Sequence, residues 1–141
     1  MTKLNKKGRV ELRSRFGGRC AYCGCELPEN GWHVDHVAPV NRELKYVRDK
    51  KGRTLMVPTG KLYNPENDRA DNLMPACRAC NIDKSVLSLE AWRDRLTGLA
   101  DNLRRNSSAF RHAERFRRVQ IVDESVVFWF ESRASGTGDN L

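Results

Sequence analysis

Four cysteines in two Cys-x-x-Cys pairs, Cys20/Cys23 and Cys77/Cys80, are separated by 53 residues in a chain of 141. Two intervening residues let both thiolates of a pair turn toward one ion, and two such pairs complete a tetrahedral zinc site. Gly24, directly after the first pair, suits the positive φ that a knuckle turn often needs. Disulfide pairing is the competing reading; an odd count of five cysteines and the look of an intracellular chain disfavour it. A redox Cys-x-x-Cys reading is disfavoured by the second pair and by the absence of a thioredoxin-like pattern. The fifth cysteine, Cys25, reads as a free thiol. Four thiolates close the coordination sphere, so the expected Zn²⁺ is structural and staples two distant segments together.

The length suits one domain, expected over residues 1–133, with 134–141 read as a disordered tail. The longest apolar run, Val126-Val127-Phe128-Trp129-Phe130, is too short to cross a bilayer, and the stretch Met1 to Lys6 leads into no apolar signal region. A membrane protein and a secreted protein with a retained signal are therefore not expected. The net charge of +8 is unevenly spread: residues 1–19 carry +6, residues 20–103 carry none, residues 104–118 carry +5 and residues 119–141 carry −3. Two basic segments flanking a neutral middle suit a polyanion, because each Lys or Arg near a phosphate releases condensed counterions. A solubilising surface explains the same charge equally well.

Residues 9–16 predict a short helix stopped by Gly17-Gly18, and residues 32–37 predict a strand ended by Pro39. Within the polar stretch 40–71, Tyr46-Val47 and Thr54 to Val57 flank residues 48–53 as a hairpin excursion. A short helix is expected from about Asn81. Ser88 is a good N-cap for another, in which Leu89, Trp92, Leu96, Leu99 and Leu103 recur at helical spacing despite Gly98. Ser107 or Ser108 caps one more, placing Arg111, Arg115 and Arg118 on one face and Phe110, Ala113 and Phe116 on the other. Residues 119–122 and 126–130, rich in branched and aromatic side chains, predict a C-terminal hairpin turning at Asp123-Glu124-Ser125.

Between and after the cysteine pairs lie Val34-Asp35-His36-Val37-Ala38-Pro39, Asp71-Asn72-Leu73 and Cys80-Asn81-Ile82-Asp83-Lys84. Each is weak alone. In the order C-x₂-C, (D)H-x₂-P, N-L and C-x₂-C-N-x₂-K, they resemble the HNH endonucleases, specifically the branch with a four-cysteine zinc site. The resemblance covers about residues 16–95, including Ser88 to Trp92. It implies an α+β fold: a ββα-metal core in a treble-clef-like, zinc-stapled fold, here with a basic N-terminal arm (1–19) and C-terminal helices and hairpin (88–133).

The resemblance further implies that His36 is the general base for the attacking water. Asp35 and Asn81 match the ligands of one catalytic divalent cation, Mg²⁺ or Mn²⁺. Asn72 matches a central asparagine that braces the loop and orients the imidazole. These residue types suit phosphodiester hydrolysis, since a neutral imidazole can take a proton near pH 7 and hard oxygen ligands suit Mg²⁺. Products with 5′-phosphate and 3′-hydroxyl ends are expected. His33 shares the face of Asp35 and reads as a support of the metal site or a surface residue. Lys84 reads either as a phosphate contact or as solvated. Lys6, Lys7, Arg9, Arg13, Lys84, Arg111, Arg115 and Arg118 are the candidate nucleic-acid contacts. The 36 positions from His36 to Asn72, and the lack of Gly-Gly after Pro39, depart from the compact form of the family.

DNA is the expected substrate and partner. RNA or another nucleotide polymer remains open, as does a noncatalytic zinc module that binds nucleic acid. The resemblance is to small enzymes of bacteria and their phages, which implies the cytoplasm of a bacterial host and allows a packaging or other specificity protein as a partner.

Overall fold

In the computed structural model, residues 3–134 are described. The tail expected at 134–141 lies outside them apart from Ala134. Among the described residues the fold is mixed α+β, with two two-stranded antiparallel sheets and six α-helices.

Helix α1 (Lys6–Arg15) starts three residues before the expected position because the Asn5 side chain accepts from the Gly8 amide. It stops where Gly17 and Gly18 take positive φ, +61° and +73°. The first knuckle follows, its turn closed by the Gly24 amide on the Cys20 carbonyl at 2.9 Å. Gly24 has φ +76°, and a Cβ there would stand 2.6 Å from the Trp129 ring, so both conformation and space require glycine. Strand β1 (His33–His36) pairs antiparallel with β4 (Leu73–Ala76), Asp35 opposite Met74 and His36 opposite Leu73. The Ala21 amide bonds the Pro75 carbonyl at 2.8 Å, tying the knuckle to this sheet. Helix α2 (Arg78–Lys84) follows β4 directly and opens at the second knuckle.

The chain between β1 and β4 makes the expected hairpin, longer than its core motif: β2 (Arg42–Arg48) and β3 (Thr54–Leu62). Two 3-10 turns, Pro65–Asn67 and Ala70–Asn72, bring the chain back. Ser88 caps α3 (Leu89–Thr97) as expected, but the helix breaks at Gly98 and resumes as α4 (Leu99–Asn106). Leu99 and Leu103 are consequently exposed, and do not continue the buried stripe of Trp92 and Leu96. Ser107 caps α5 (Ser108–Arg115).

The expected C-terminal hairpin does not form. Residues 119–128 carry no strand, and α6 (Trp129–Ala134) takes the second half of the apolar run. Tertiary contacts override β-propensity here. Phe128 is buried, and the amides of Trp129 and Phe130 bond the carbonyls of Tyr22 and Ala21 at 2.9 and 2.8 Å. Phe128 stacks on Trp92 with ring centres 5.0 Å apart, and Tyr22 meets Trp92 edge-on at 5.2 Å. The core thus joins Leu12, Cys20, Tyr22, Leu27, Trp32, Leu73, Ala76, Trp92 and Phe128, wrapped around the first knuckle.

Candidate metal and catalytic centre

The sulfur atoms of Cys20, Cys23, Cys77 and Cys80 all lie within 4.8 Å of one another. Tetrahedral zinc with Zn–S of about 2.3 Å requires sulfurs about 3.8 Å apart, and Cys23 and Cys77 are separated by 3.9 Å. The Cys80 amide points at the Cys77 sulfur, 3.4 Å away. Crowding divides the thiols: the Cys20 thiol is held down to about 4, first by its bond with Cys80 and then by backbone amides. That same bond, with burial, pushes Cys80 up. Four cysteine sulfurs this close could bind a structural Zn²⁺, whose ligand type and spacing they fit. Cys25 is exposed outside the four.

With the knuckles joined, β1 lies against α2. Lys84, fully buried, donates from Nζ to the His36 carbonyl at 2.9 Å and pairs with Asp35 Oδ2 at 3.1 Å. This corrects the reading of Lys84 as a nucleic-acid contact, because it has no exposed atom to offer a phosphate. The Tyr22 hydroxyl donates to the same Asp35 oxygen. Burial, and then the Asp35 charge, push the Tyr22 phenol up, which keeps it a donor. Asp35 is therefore held by two donors on Oδ2. It also lines a cleft of about 560 Å³ together with His33, Val34, His36 and Asn81. Asn81 is three residues before Lys84 on α2, so the two share the helix face toward β1.

His36 is half-buried, with Nε2 3.0 Å from Asp68 Oδ1. A proton on Nε2 directed at this carboxylate leaves Nδ1 as the basic nitrogen. Sequence reasoning missed Asp68; it sits in the polar return segment, and nothing local marks it out. Asn72 is buried and clamps the loop after β1: Oδ1 accepts from the Ala38 amide at 2.9 Å, and Nδ2 donates to the carbonyls of Ala38 and Asn67 at 2.8 and 2.7 Å. These bonds tie the segment after β1 to the return segment before β4. Asn72 touches the cleft through that loop and does not line it.

The basic flanks are only partly available. Arg9 donates to the Trp32 carbonyl at 2.9 Å and lies 4.1 Å over the Trp32 ring. Arg13 donates to the Leu27 carbonyl at 2.7 Å. Both fasten α1 to the core, whereas Lys6 and Lys7 are exposed. Arg111 donates to the Arg104 carbonyl at 2.8 Å, at the end of α4. Arg115 closes α5, and Arg118 lies beyond it, past Arg117 at φ +54°. The expected face of Arg111, Arg115 and Arg118 along one helix therefore does not form.

No family model matches the chain, and neither a curated protein nor a solved structure does. No helix among the described residues is long and apolar enough to cross a membrane.

Proposed function

We propose that this chain is a metal-dependent endonuclease of the HNH type, hydrolysing DNA phosphodiester bonds from a ββα unit made of β1, β4 and α2. The observation that carries the reading is one cleft lined by Asp35, His36 and Asn81, beside an Asn72 clamp and four clustered thiols. Those residues come from segments far apart in sequence, which the zinc staple draws together.

In this reading His36 takes the proton of the attacking water on Nδ1, while Asp68 holds the ring through Nε2. Asp35, with Oδ2 engaged by Tyr22 and Lys84, keeps Oδ1 for a divalent cation, and Asn81 offers a second oxygen. Mg²⁺ or Mn²⁺ held there supplies charge stabilisation for the phosphorane-like transition state and the leaving oxygen. Lys84 and Tyr22 fix the rotamer of Asp35 and do not touch substrate.

One observation favours a second reading, a noncatalytic zinc module that binds nucleic acid: the Lys84 ammonium already balances the Asp35 charge. Supercoiled plasmid incubated with the zinc-loaded protein and a titration of Mg²⁺ or Mn²⁺ separates the two. Nicked or linear product that EDTA abolishes is expected for the nuclease. Intact plasmid at every metal concentration, with tight plasmid binding, overturns it in favour of the binding module.

A further inference from the structure

The β2–β3 ribbon is unlike the rest of the molecule. Its extensive packing is between its own two strands, and residues 42–62 hold seven basic side chains against two acidic ones. The charge-neutral middle of the chain is thus neutral only on average. All seven, Arg42, Lys45, Arg48, Lys50, Lys51, Arg53 and Lys61, belong to exposed residues. Arg53 is paired with Asp49 at 2.7 Å and Lys61 with Glu43 at 3.6 Å. Lys45, Arg48, Lys50 and Lys51 have no acidic partner among the described residues. Tyr46 and Met56, directly opposite one another, are 76% and 58% exposed. Exposed apolar surface rimmed by charged side chains is characteristic of interaction sites.

We propose that this ribbon is the arm that enters the major groove of duplex DNA beside the cleft. The inference rests on the reading of DNA as substrate. A two-stranded ribbon is an element the B-form major groove admits, at about 12 Å wide and 8.5 Å deep. Seven residues of β2 at about 3.4 Å each reach about 24 Å, ample for that depth. The turn is rigid: Asp49 Oδ1 accepts from the amides of Lys51 and Arg53 at 2.8 and 2.9 Å, and Gly52 takes φ +75°. It holds Lys50 and Lys51 at the tip. Lys45 lies on one face of the ribbon, with Tyr46, Met56 and Arg48 on the other. Cations contact phosphates along the groove walls, and the Tyr46–Met56 pair offers apolar contact to base edges such as thymine methyls. The ribbon's base meets the candidate active site, since Arg42 and Leu44 line the same cleft as Asp35, His36 and Asn81. A duplex held by the ribbon therefore passes its backbone over that cleft. A-form RNA is a poor fit, because its major groove is too narrow to be read.

The test uses the full chain carrying His36→Ala, so that DNA stays intact, with and without Lys45→Ala, Arg48→Ala, Lys50→Ala and Lys51→Ala. Those side chains are exposed and outside the core, and zinc content and circular dichroism check that the fold persists. Binding to a fluorescent 20-base-pair duplex is measured against salt. The four substitutions should weaken binding at least 10-fold and reduce the slope of log K on log salt by about 2–4, at about 0.9 for each phosphate released. The His36→Ala chain should also protect guanine N7 from dimethyl sulfate, with protection lost in the ribbon variant. Equal affinity and slope, unprotected N7, preference for duplex RNA, self-association through the ribbon in place of DNA binding, or no duplex binding at all each overturns the inference. Plasmid cleavage by the unsubstituted chain distinguishes the two readings. Cleavage with no ribbon dependence sinks the ribbon alone, and ribbon-dependent binding without cleavage sinks the nuclease alone.

Discussion

Replacing Lys84 with Met should cost this protein more stability than most single substitutions, although it makes the interior less polar. The ammonium is fully buried and donates to two acceptors, Asp35 Oδ2 at 3.1 Å and the His36 carbonyl at 2.9 Å. Removing one partner of a buried pair leaves an uncompensated charge and costs about 3–5 kcal/mol. Asp35 keeps the Tyr22 hydroxyl, and its side chain is 11% exposed toward the cleft, which places the loss near the lower end, about 3 kcal/mol. With a urea slope of about 1.5 kcal/mol per molar, the midpoint falls by about 2 M. The assay is urea unfolding followed by tryptophan fluorescence at fixed free zinc, because metal binding and folding are coupled. Asp35→Asn combined with Lys84→Met should recover at least a third of the loss, since no lone charge remains. A midpoint for Lys84→Met within 0.5 M (about 0.8 kcal/mol) of the parent refutes the reasoning. So does a double variant no more stable than the single one.

Chelation of zinc, or Cys77→Ser, should unfold the knuckles, because zinc contributes about 10–16 kcal/mol in such sites; one zinc per chain by metal analysis and loss of near-ultraviolet dichroism check it, and a folded metal-free chain contradicts it. Gly24→Ala should destabilise by about 2–4 kcal/mol through its left-handed backbone and its clash with Trp129, read by thermal unfolding; an unchanged midpoint contradicts it. Asp68→Asn should lower plasmid cleavage about 10–100-fold by loosening the His36 ring, and undiminished cleavage refutes that role. Arg93 holds the Glu131 carboxyl below its usual 4.5, so its contribution to docking the C-terminal segment is present above that value and lost as pH falls through the lower folded value. Protection factors of residues 126–132 against hydrogen exchange, corrected for the intrinsic rate at each pH, should therefore fall in acid in the parent and already be low at neutral pH in Glu131→Gln; identical pH dependence in the two contradicts it.

Features set by local chemistry were legible in the sequence. Two residues between cysteines bring two sulfurs to one point, and the sequence expectation of a four-cysteine site matches the clustered thiols. Ser88, Ser107 and the Gly17-Gly18 stop act within one helical turn and stand where their spacing puts them. The residues 48–53 turn was equally readable from its flanking strands. What escaped depends on partners distant in sequence. Lys84 carries the same charge whether it faces water or Asp35, and only the approach of β1 to α2 decides between them. Asp68 has no neighbouring motif, and meets His36 only after a 32-residue excursion. The branched and aromatic run at 126–130 favours a strand locally, yet its amides find the knuckle carbonyls and its Phe128 finds Trp92. Net charge misled for a related reason: Arg9 and Arg13 spend their guanidinium groups on carbonyls of the core, while the ribbon's excess was hidden by acidic residues elsewhere in the middle segment.

The central claim is that His36 activates water in a cleft that the zinc staple assembles. It is tested most directly by comparing the parent with His36→Ala, matched for zinc content and circular dichroism, on supercoiled plasmid with Mg²⁺. The parent should convert the plasmid to nicked or linear product, and His36→Ala should leave it supercoiled while binding it as well. Equal cleavage by the two proteins contradicts the account.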